Sequence, residues 1–183
     1  KSFTVNRISS IFKADSRAKG GLIVLLFFLC AAFFAPWLSP YDPNEMTLNM
    51  MSPPSWQHFL GTDDLGRDLL SRIVWGTQVS LFVGFVTVAI SLVVGVFLGV
   101  WAGYYGGWID MVIMRYIDLQ WAFPNFIIAV YLVAVFGTGL LNIIIAISLA
   151  FLDDFARVAR SIVLSLKEQP FIEAARVGGT SDL

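Results

Sequence analysis

Three long stretches of this chain, residues 20–41, 73–109 and 119–152, contain no Asp, Glu, Lys or Arg. A helix needs roughly 20 apolar residues to cross a bilayer, and each stretch reaches that length. Composition points the same way. Of the 183 residues only 14% are charged, against about 25% in a soluble domain, and the mean hydropathy is +0.76. That balance excludes a disordered chain and an ordinary soluble enzyme. A formal net charge of −1 gives no global attraction to nucleic acid. Cys30 and His58 are each the single residue of their kind. They leave no disulfide framework, no cysteine zinc site and no histidine metal cluster, so no metal and no cofactor bound by the chain itself are expected.

The first stretch predicts one span over residues 21–38, ended by Pro36, Pro40 and Pro43. Its apolar part is too long for a cleaved signal peptide and no small-residue cleavage site follows. The second stretch is too long for one helix and too short for two. Its start, residues 73–78, reads as interfacial, and the span is placed at 79–103, closed by Tyr104-Tyr105-Gly106-Gly107. The third holds two helices turned at Gly137-Thr138-Gly139, with spans at 108–136 and 139–162. The expectation is an all-α membrane protein, a multi-span helical bundle with four crossings. Lys1, Arg7, Lys13, Arg17 and Lys19 precede the first span, whereas residues 39–78 hold Arg67 and Arg72 against Asp42, Glu45, Asp63, Asp64 and Asp68. Short cytoplasmic segments collect Lys and Arg. Residues 1–20 are therefore placed in the cytoplasm, 39–78 outside as a loop with an amphipathic helix, and 163–183 back in the cytoplasm.

Several motifs admit two readings. Gly95, Gly99 and Gly103 form a small-xxx-small pattern, extended by Ser80, Gly84 and Ser91, which permits close helix approach but says nothing of substrate. Pro124 lies inside the third span, where it kinks the helix, either as plain structure or as a break lining a pathway. Asp153-Asp154 lies about 21 Å along a helix from Gly139. Acids in a membrane are functional candidates, yet Asp153 and Arg157 are spaced for a local ion pair, as are Arg115 and Asp118. Outside, Thr62 or Asp64 can cap a helix whose apolar stripe is Leu65, Leu69, Leu70 and Ile73. It is either a helix on the membrane surface or a contact for an external partner through Thr62, Asp63, Asp64, Arg67 and Asp68. His58 beside it reads as a solvated loop residue. Trp37, Trp75, Trp101 and Trp108 read as interface anchors.

Near the end, Pro170 suits a first helical turn and Gly178-Gly179 a helix end. The helix between them is about nine residues long, with Phe171, Ala174, Ala175 and Gly178 on one face. A helix so short is marginal alone in water. It serves either as a connector on its own bundle or as an insert into a partner's groove.

Glu173-Ala174-Ala175, followed after three residues by Gly179, resembles the start of the EAA motif of ABC importer permeases. Residues 60–68, Leu-Gly-Thr-Asp-Asp-Leu-Gly-Arg-Asp, resemble the external signature of the oligopeptide/dipeptide/nickel permease family, second-subunit type. Residues 102–110 and Ala122-Phe123-Pro124 are also similar to that family, and the likeness runs from about residue 18 to 183. It implies a type I importer permease of six spans, the last two lying past Leu183 and a further N-terminal part lying before Lys1. It also implies a paralogous permease partner, two cytoplasmic ATPase subunits holding ATP and Mg²⁺, and an extracytoplasmic solute-binding protein. Phe171, Glu173, Ala174, Ala175, Arg176 and Gly179 map onto the segment that couples to the ATPase. One departure is Asp153-Asp154, where such permeases more often carry apolar or Trp/Pro residues. No G-x-x-x-x-G-K-[ST] loop occurs in the chain, so ATP is expected to be hydrolysed elsewhere and the chain to be no enzyme by itself. The expected function is passage of di- and oligopeptides across a bacterial or archaeal plasma (inner) membrane. The alternatives are nickel or another small solute in the same family, an ion-coupled transporter or channel using Asp153, Asp154, Arg115 and Asp118, or a membrane-anchored assembly protein.

Overall fold

A computed structural model describes residues 16–179, and among them the regular structure is helical, apart from one isolated bridge between Thr62 and Asp68. Helix α1 is Ser16–Phe33 and α2 is the single turn Ala35–Leu38. Pro36 has no N–H to continue the ladder, and the chain resets on Phe34, whose carbonyl accepts from Trp37 and Leu38 at 2.9 Å each. Helix α3, Leu69–Tyr105, runs unbroken for 37 residues, about 55 Å at 1.5 Å per residue. Residues 73–78 are therefore the second and third turns of α3 and not a separate interfacial piece, and residues 61–74 hold no independent surface helix. The cap that starts α3 is Asp68, rather than Thr62 or Asp64: its Oδ2 accepts from the Ser71 N–H at 2.8 Å.

Helices α4, Gly107–Trp121, and α5, Asn125–Phe136, are bent by 97° at the break before Asn125. The straight crossing expected over residues 108–136 is thus broken where Pro124 lacks an N–H. The expected helix over 139–162 is also two: α6, Leu140–Ala150, and α7, Leu152–Lys167, separated at Phe151 (φ −115°, ψ 9°). Among the described residues α1 and α3 are each long and apolar enough to cross a membrane, and the bent pair α4–α5 adds a third candidate only if counted as one span. Helix α8 is Pro170–Val177.

The chain forms two compact units, residues 1–82 and 83–183. In the first, the loop after α2 is knitted by hydrogen bonds from Met51 N to Asp63 O (2.9 Å) and Thr62 N to Ser52 O (3.1 Å). His58 is buried, with Nδ1 3.0 Å from Asp68 Oδ1 and its ring 4.9 Å from that of Tyr41. It is a structural contact between the loop and the α3 cap, where a solvated position was expected.

In the second unit the core is Ile117, Leu152 and Ala156, with Leu98, Ile113, Met114 and Leu149 packed on it. The break at Phe151 strips the last carbonyls of α6 of their helical partners. Other helices supply donors: Ser91 Oγ reaches Ser148 O at 2.9 Å, and Gln120 Nε2 reaches Leu149 O at 2.6 Å. Unpaired carbonyls in an apolar setting are costly, and these two side chains satisfy them where the helix is interrupted.

Candidate functional site

Helix α8 is built with few residues. The Gln169 carbonyl accepts from Ile172 N and Glu173 N at 3.0 and 3.3 Å, and Pro170 takes the first position, where a missing N–H costs nothing. At the other end Gly178 N donates to Ala174 O at 2.9 Å, and Gly179 lies at φ +80°. That left-handed conformation is the one glycine takes without strain. The face that carries Phe171, Ala174 and Ala175 is uncovered: all three are exposed, Phe171 by 61%. Glu173 is exposed too. Arg176 is in α8, but its side chain lies outside the described residues, as do residues 1–15 and 180–183. Within the described chain α8 packs on α7.

Helix α7 is fastened to the rest of its unit by three cations spaced i, i+3 and i+10. Arg160 makes a two-pronged contact, Nε and Nη2 to the Asp110 carboxylate at 2.5 Å each. Lys167 Nζ donates to the Tyr104 and Gly103 carbonyls at the end of α3, at 2.8 and 3.3 Å. Arg157 Nη2 reaches Asp118 at 2.8 Å, and its guanidinium lies 4.2 Å from the Trp121 ring centroid. The local pairs Asp153–Arg157 and Arg115–Asp118, permitted by spacing, therefore do not form, because α4 offers Arg157 both a carboxylate and an aromatic face. Between the helices lie the glycines. A Cβ on Gly95 would stand 2.6 Å from Leu152 O, one on Gly103 would stand 2.9 Å from Val163 Cβ, and one on Gly99 would collide with Ala156 O. The small face seen in the sequence is the seat of α7.

Asp153 and Asp154 open α7 and point in different directions. Asp153 is 1% exposed and its Oδ1 has no hydrogen-bond partner. Asp154 is exposed and makes no hydrogen bond or ion pair among the described residues. It borders a groove of about 360 Å³ lined by Gly84, Thr87, Val88, Ser91, Ile147, Phe151 and Phe155. A carboxylate in a first helical turn gains about 0.3–1 kcal/mol from the helix dipole, whereas a charge placed in lipid costs at least about 2.5–3.5 kcal/mol. The helix end offsets only part of that cost. Pro124 stands at the α4–α5 bend, away from the residues that line this groove.

The residues of the loop before α3 separate in the same way. Thr62 and Asp68 are buried, at 4% and 3% exposure, and so offer no contact surface. Thr62 Oγ1 accepts from Ser52 N at 2.9 Å and donates to Asn49 O. Asp63 turns inward to Arg67 and Leu65, accepting from both N–H groups at 2.9 Å and from Arg67 Nε at 2.7 Å. Of Asp63, Asp64 and Asp68 only Asp64 faces solvent, its side chain 78% exposed and 4.0 Å from Arg67. Burial pushes the Asp68 carboxyl up, but hydrogen bonds from the Ser71 N–H and hydroxyl and from His58 outweigh it and hold it below the usual value. A carboxyl lowered on folding contributes stability above its unfolded pKa of about 3.9, and loses it as pH falls through the lower folded value. Protection factors for hydrogen exchange at the Thr62 and Ser71 amides should therefore hold at pH 6 and fall below about pH 4. Asp68→Asn should remove that pH dependence while still capping the helix, and Asp68→Ala should cost about 1 kcal/mol through the lost cap.

Sequence reasoning did not single out Asp110, Gln120 or Ser148 as partners. Their contacts join residues 50, 29 and 57 positions apart, beyond any helical spacing rule.

A family model described as "Binding-protein-dependent transport system inner membrane component" matches residues 95–183. A second, "N-terminal TM domain of oligopeptide transport permease C", matches residues 7–54. The chain is 39% identical over 179 residues to a "Di/tripeptide transport system permease protein DppC" of Pseudomonas aeruginosa, covering 94% of this chain and 59% of the relative. It is 44% identical to a "Dipeptide transport system permease protein DppC" of Alkalihalophilus pseudofirmus, covering 91% and 55%. It is 42% identical to a "Glutathione transport system permease protein GsiD" of Pectobacterium atrosepticum, covering 88% and 54%. The chain thus spans a little over half the length of these relatives.

Proposed function

This chain is a membrane protein that belongs to the inner membrane components of binding-protein-dependent transport systems, and from that premise we propose that it is the permease subunit of an ATP-driven peptide importer. It forms the passage together with a paralogous permease. Two cytoplasmic ATPase subunits, which hold ATP and Mg²⁺, drive the change between outward and inward openings, and an extracytoplasmic solute-binding protein delivers di- or oligopeptides. The subunit itself hydrolyses nothing. It lies in the plasma (inner) membrane with its N-terminus in the cytoplasm, as the Lys and Arg distribution favours. Relatives named for dipeptide, di/tripeptide and glutathione transport favour a short peptide over nickel or another small solute.

The observation that carries this reading is the uncovered face of α8. Eight residues are too few to hold a helix in water without packing, yet Phe171, Ala174 and Ala175 have no cover among the described residues. Such a helix, small in its middle and aromatic at one end, fits a groove on another subunit. Its neighbour α7 is tied to α3 and α4 through Lys167, Arg160 and Arg157, so a push on α8 reaches the bundle. An ion-coupled carrier or channel gives no account of that face.

Purification in mild detergent tests the reading: the ATPase subunits should co-purify. Orientation is tested beside it in a Cys30→Ala background. A cysteine at Gln57 should react with an impermeant thiol reagent on intact cells, and one at Lys167 only after permeabilisation. Reaction of position 167 from outside would overturn the orientation, and absence of the ATPase subunits would overturn the importer.

A further inference from the structure

We propose that Asp154 is the carboxylate on this subunit that receives the cationic group of a solute in passage, the ammonium of a free peptide N-terminus; this rests on the importer reading above. Four observations converge on it. The Asp154 side chain is exposed and unpaired among the described residues. The three cations of its own helix are committed elsewhere: Arg157 to Asp118, Arg160 to Asp110, and Lys167 to the Gly103 and Tyr104 carbonyls. The hydroxyl residues of the groove, Thr87 and Ser91, are buried and their protons are engaged, so neither offers a donor to a solute. Thr87 Oγ1 donates to Val83 O and Gly84 O at 2.8 and 3.0 Å, and Ser91 Oγ donates to Ser148 O at 2.9 Å. No hydroxyl proton is left there to hold a carboxylate, and Asp154 is the charged group that borders the groove. The rest of the lining, Val88, Ile147, Phe151 and Phe155, is apolar and would hold a variety of side chains without selecting among them. A volume of about 360 Å³ takes the first residue or two of a peptide.

A carboxylate that is costly to place in lipid and unpaired among the described residues is served by water or by a passing cation. The break of α6 and α7 at Phe151 lies just before it, and transporters use such helix breaks to present polar groups to a path. Successive residues of a helix point about 100° apart, so Asp154 faces out of the packing while Asp153, one residue earlier, stays buried.

The test uses the complete complex in proteoliposomes, with both permeases, the ATPase subunits and the binding protein. Val88, which lines the groove and is 57% exposed, is replaced by Cys in a Cys30→Ala background. It is then reacted with an ethylammonium and an ethylsulfonate methanethiosulfonate. The cationic reagent should react at least tenfold faster than the anionic one, corrected for their rates with a free thiol. Asp154→Asn should bring that ratio close to one, and Asp154→Glu should keep it. Peptide uptake driven by ATP, with loaded binding protein in excess, should fall about tenfold in Asp154→Asn and stay near wild type in Asp154→Glu. No labelling of Val88→Cys from water would overturn the proposal, because the groove would then face protein or lipid. A reagent ratio or an uptake rate unmoved by Asp154→Asn would overturn it as well. A wild-type complex that takes up no peptide overturns the importer reading, and with it the peptide ammonium; that failure is seen in the wild type alone, before any variant is compared.

Discussion

Ala174→Trp is expected to abolish substrate-stimulated ATP hydrolysis in the assembled complex, while the subunit still inserts and still pairs with its partner permease. The argument rests on where the bulk goes. Ala174 is exposed in this chain, so an indole there disturbs none of its own packing. Whatever groove receives α8 must take that indole in the middle of the contact, and overpacking of a close interface costs about 1–3 kcal/mol or more. Gly179→Leu should have the same outcome by a different route. Gly179 lies at φ +80° with open space around it, so leucine meets no clash but loses about 1–2 kcal/mol in the left-handed conformation. The chain relieves that by leaving it, which re-aims whatever follows α8. Glu173→Ala should be milder, weakening coupling without loss of docking. Pull-down of the ATPase subunits and ATP hydrolysis with and without loaded binding protein measure all three. Wild-type values in both Ala174→Trp and Gly179→Leu would make α8 a mere connector.

Gly99→Leu should be the most damaging single change to the fold of the second unit. The atom that a new Cβ meets is the Ala156 carbonyl oxygen, with the Ala159 Cβ also at 2.9 Å. Backbone cannot swing aside as a long side chain does, so α7 must lift off α3. With it go the Lys167 contacts to the end of α3 and the alignment of Arg160 on Asp110. A cost of about 3 kcal/mol or more follows, at the upper end of overpacking, and the unfolding midpoint in detergent should fall by several degrees. Gly76→Ala is the matched control. A Cβ there meets nothing within 4 Å, and alanine in a helix interior is favoured over glycine by up to about 1 kcal/mol, so that variant should be as stable as wild type or better. Gly99→Leu with an unchanged midpoint would mean that α3 and α7 are not in contact.

What could be read in advance and what could not divide along one line. Signals local in the chain were legible. Pro170 and Gly178-Gly179 bracket α8, Pro124 marks the α4–α5 bend, and the runs without charge became α1 and α3. The small face of Gly95, Gly99 and Gly103 was visible too, but the sequence could not say that α7 sits on it. The break at Phe151 had no glycine or proline to announce it. It is held by Ser91 and Gln120, which reach the freed carbonyls of α6 from 57 and 29 residues away. Helical spacing proposed Asp153–Arg157 and Arg115–Asp118, and a long-range partner displaced the local one for Arg157. His58 was misplaced for the same reason: its partners Asp68 and Tyr41 are brought to it by the loop's fold and not by its neighbours. For the EAA-like segment the sequence carried the resemblance, and the geometry added that its small face is uncovered.

The central claim is that α8 seats in an ATPase subunit, and contact is its most direct measure. A single cysteine at Ala175, in the Cys30→Ala background, carries a short photo-cross-linker in the assembled complex. The account predicts a cross-linked product containing the ATPase subunit, lost on competition from an unlabelled excess of the wild-type permease during assembly. Cross-links confined to this chain or to lipid, with the complex intact, would contradict it.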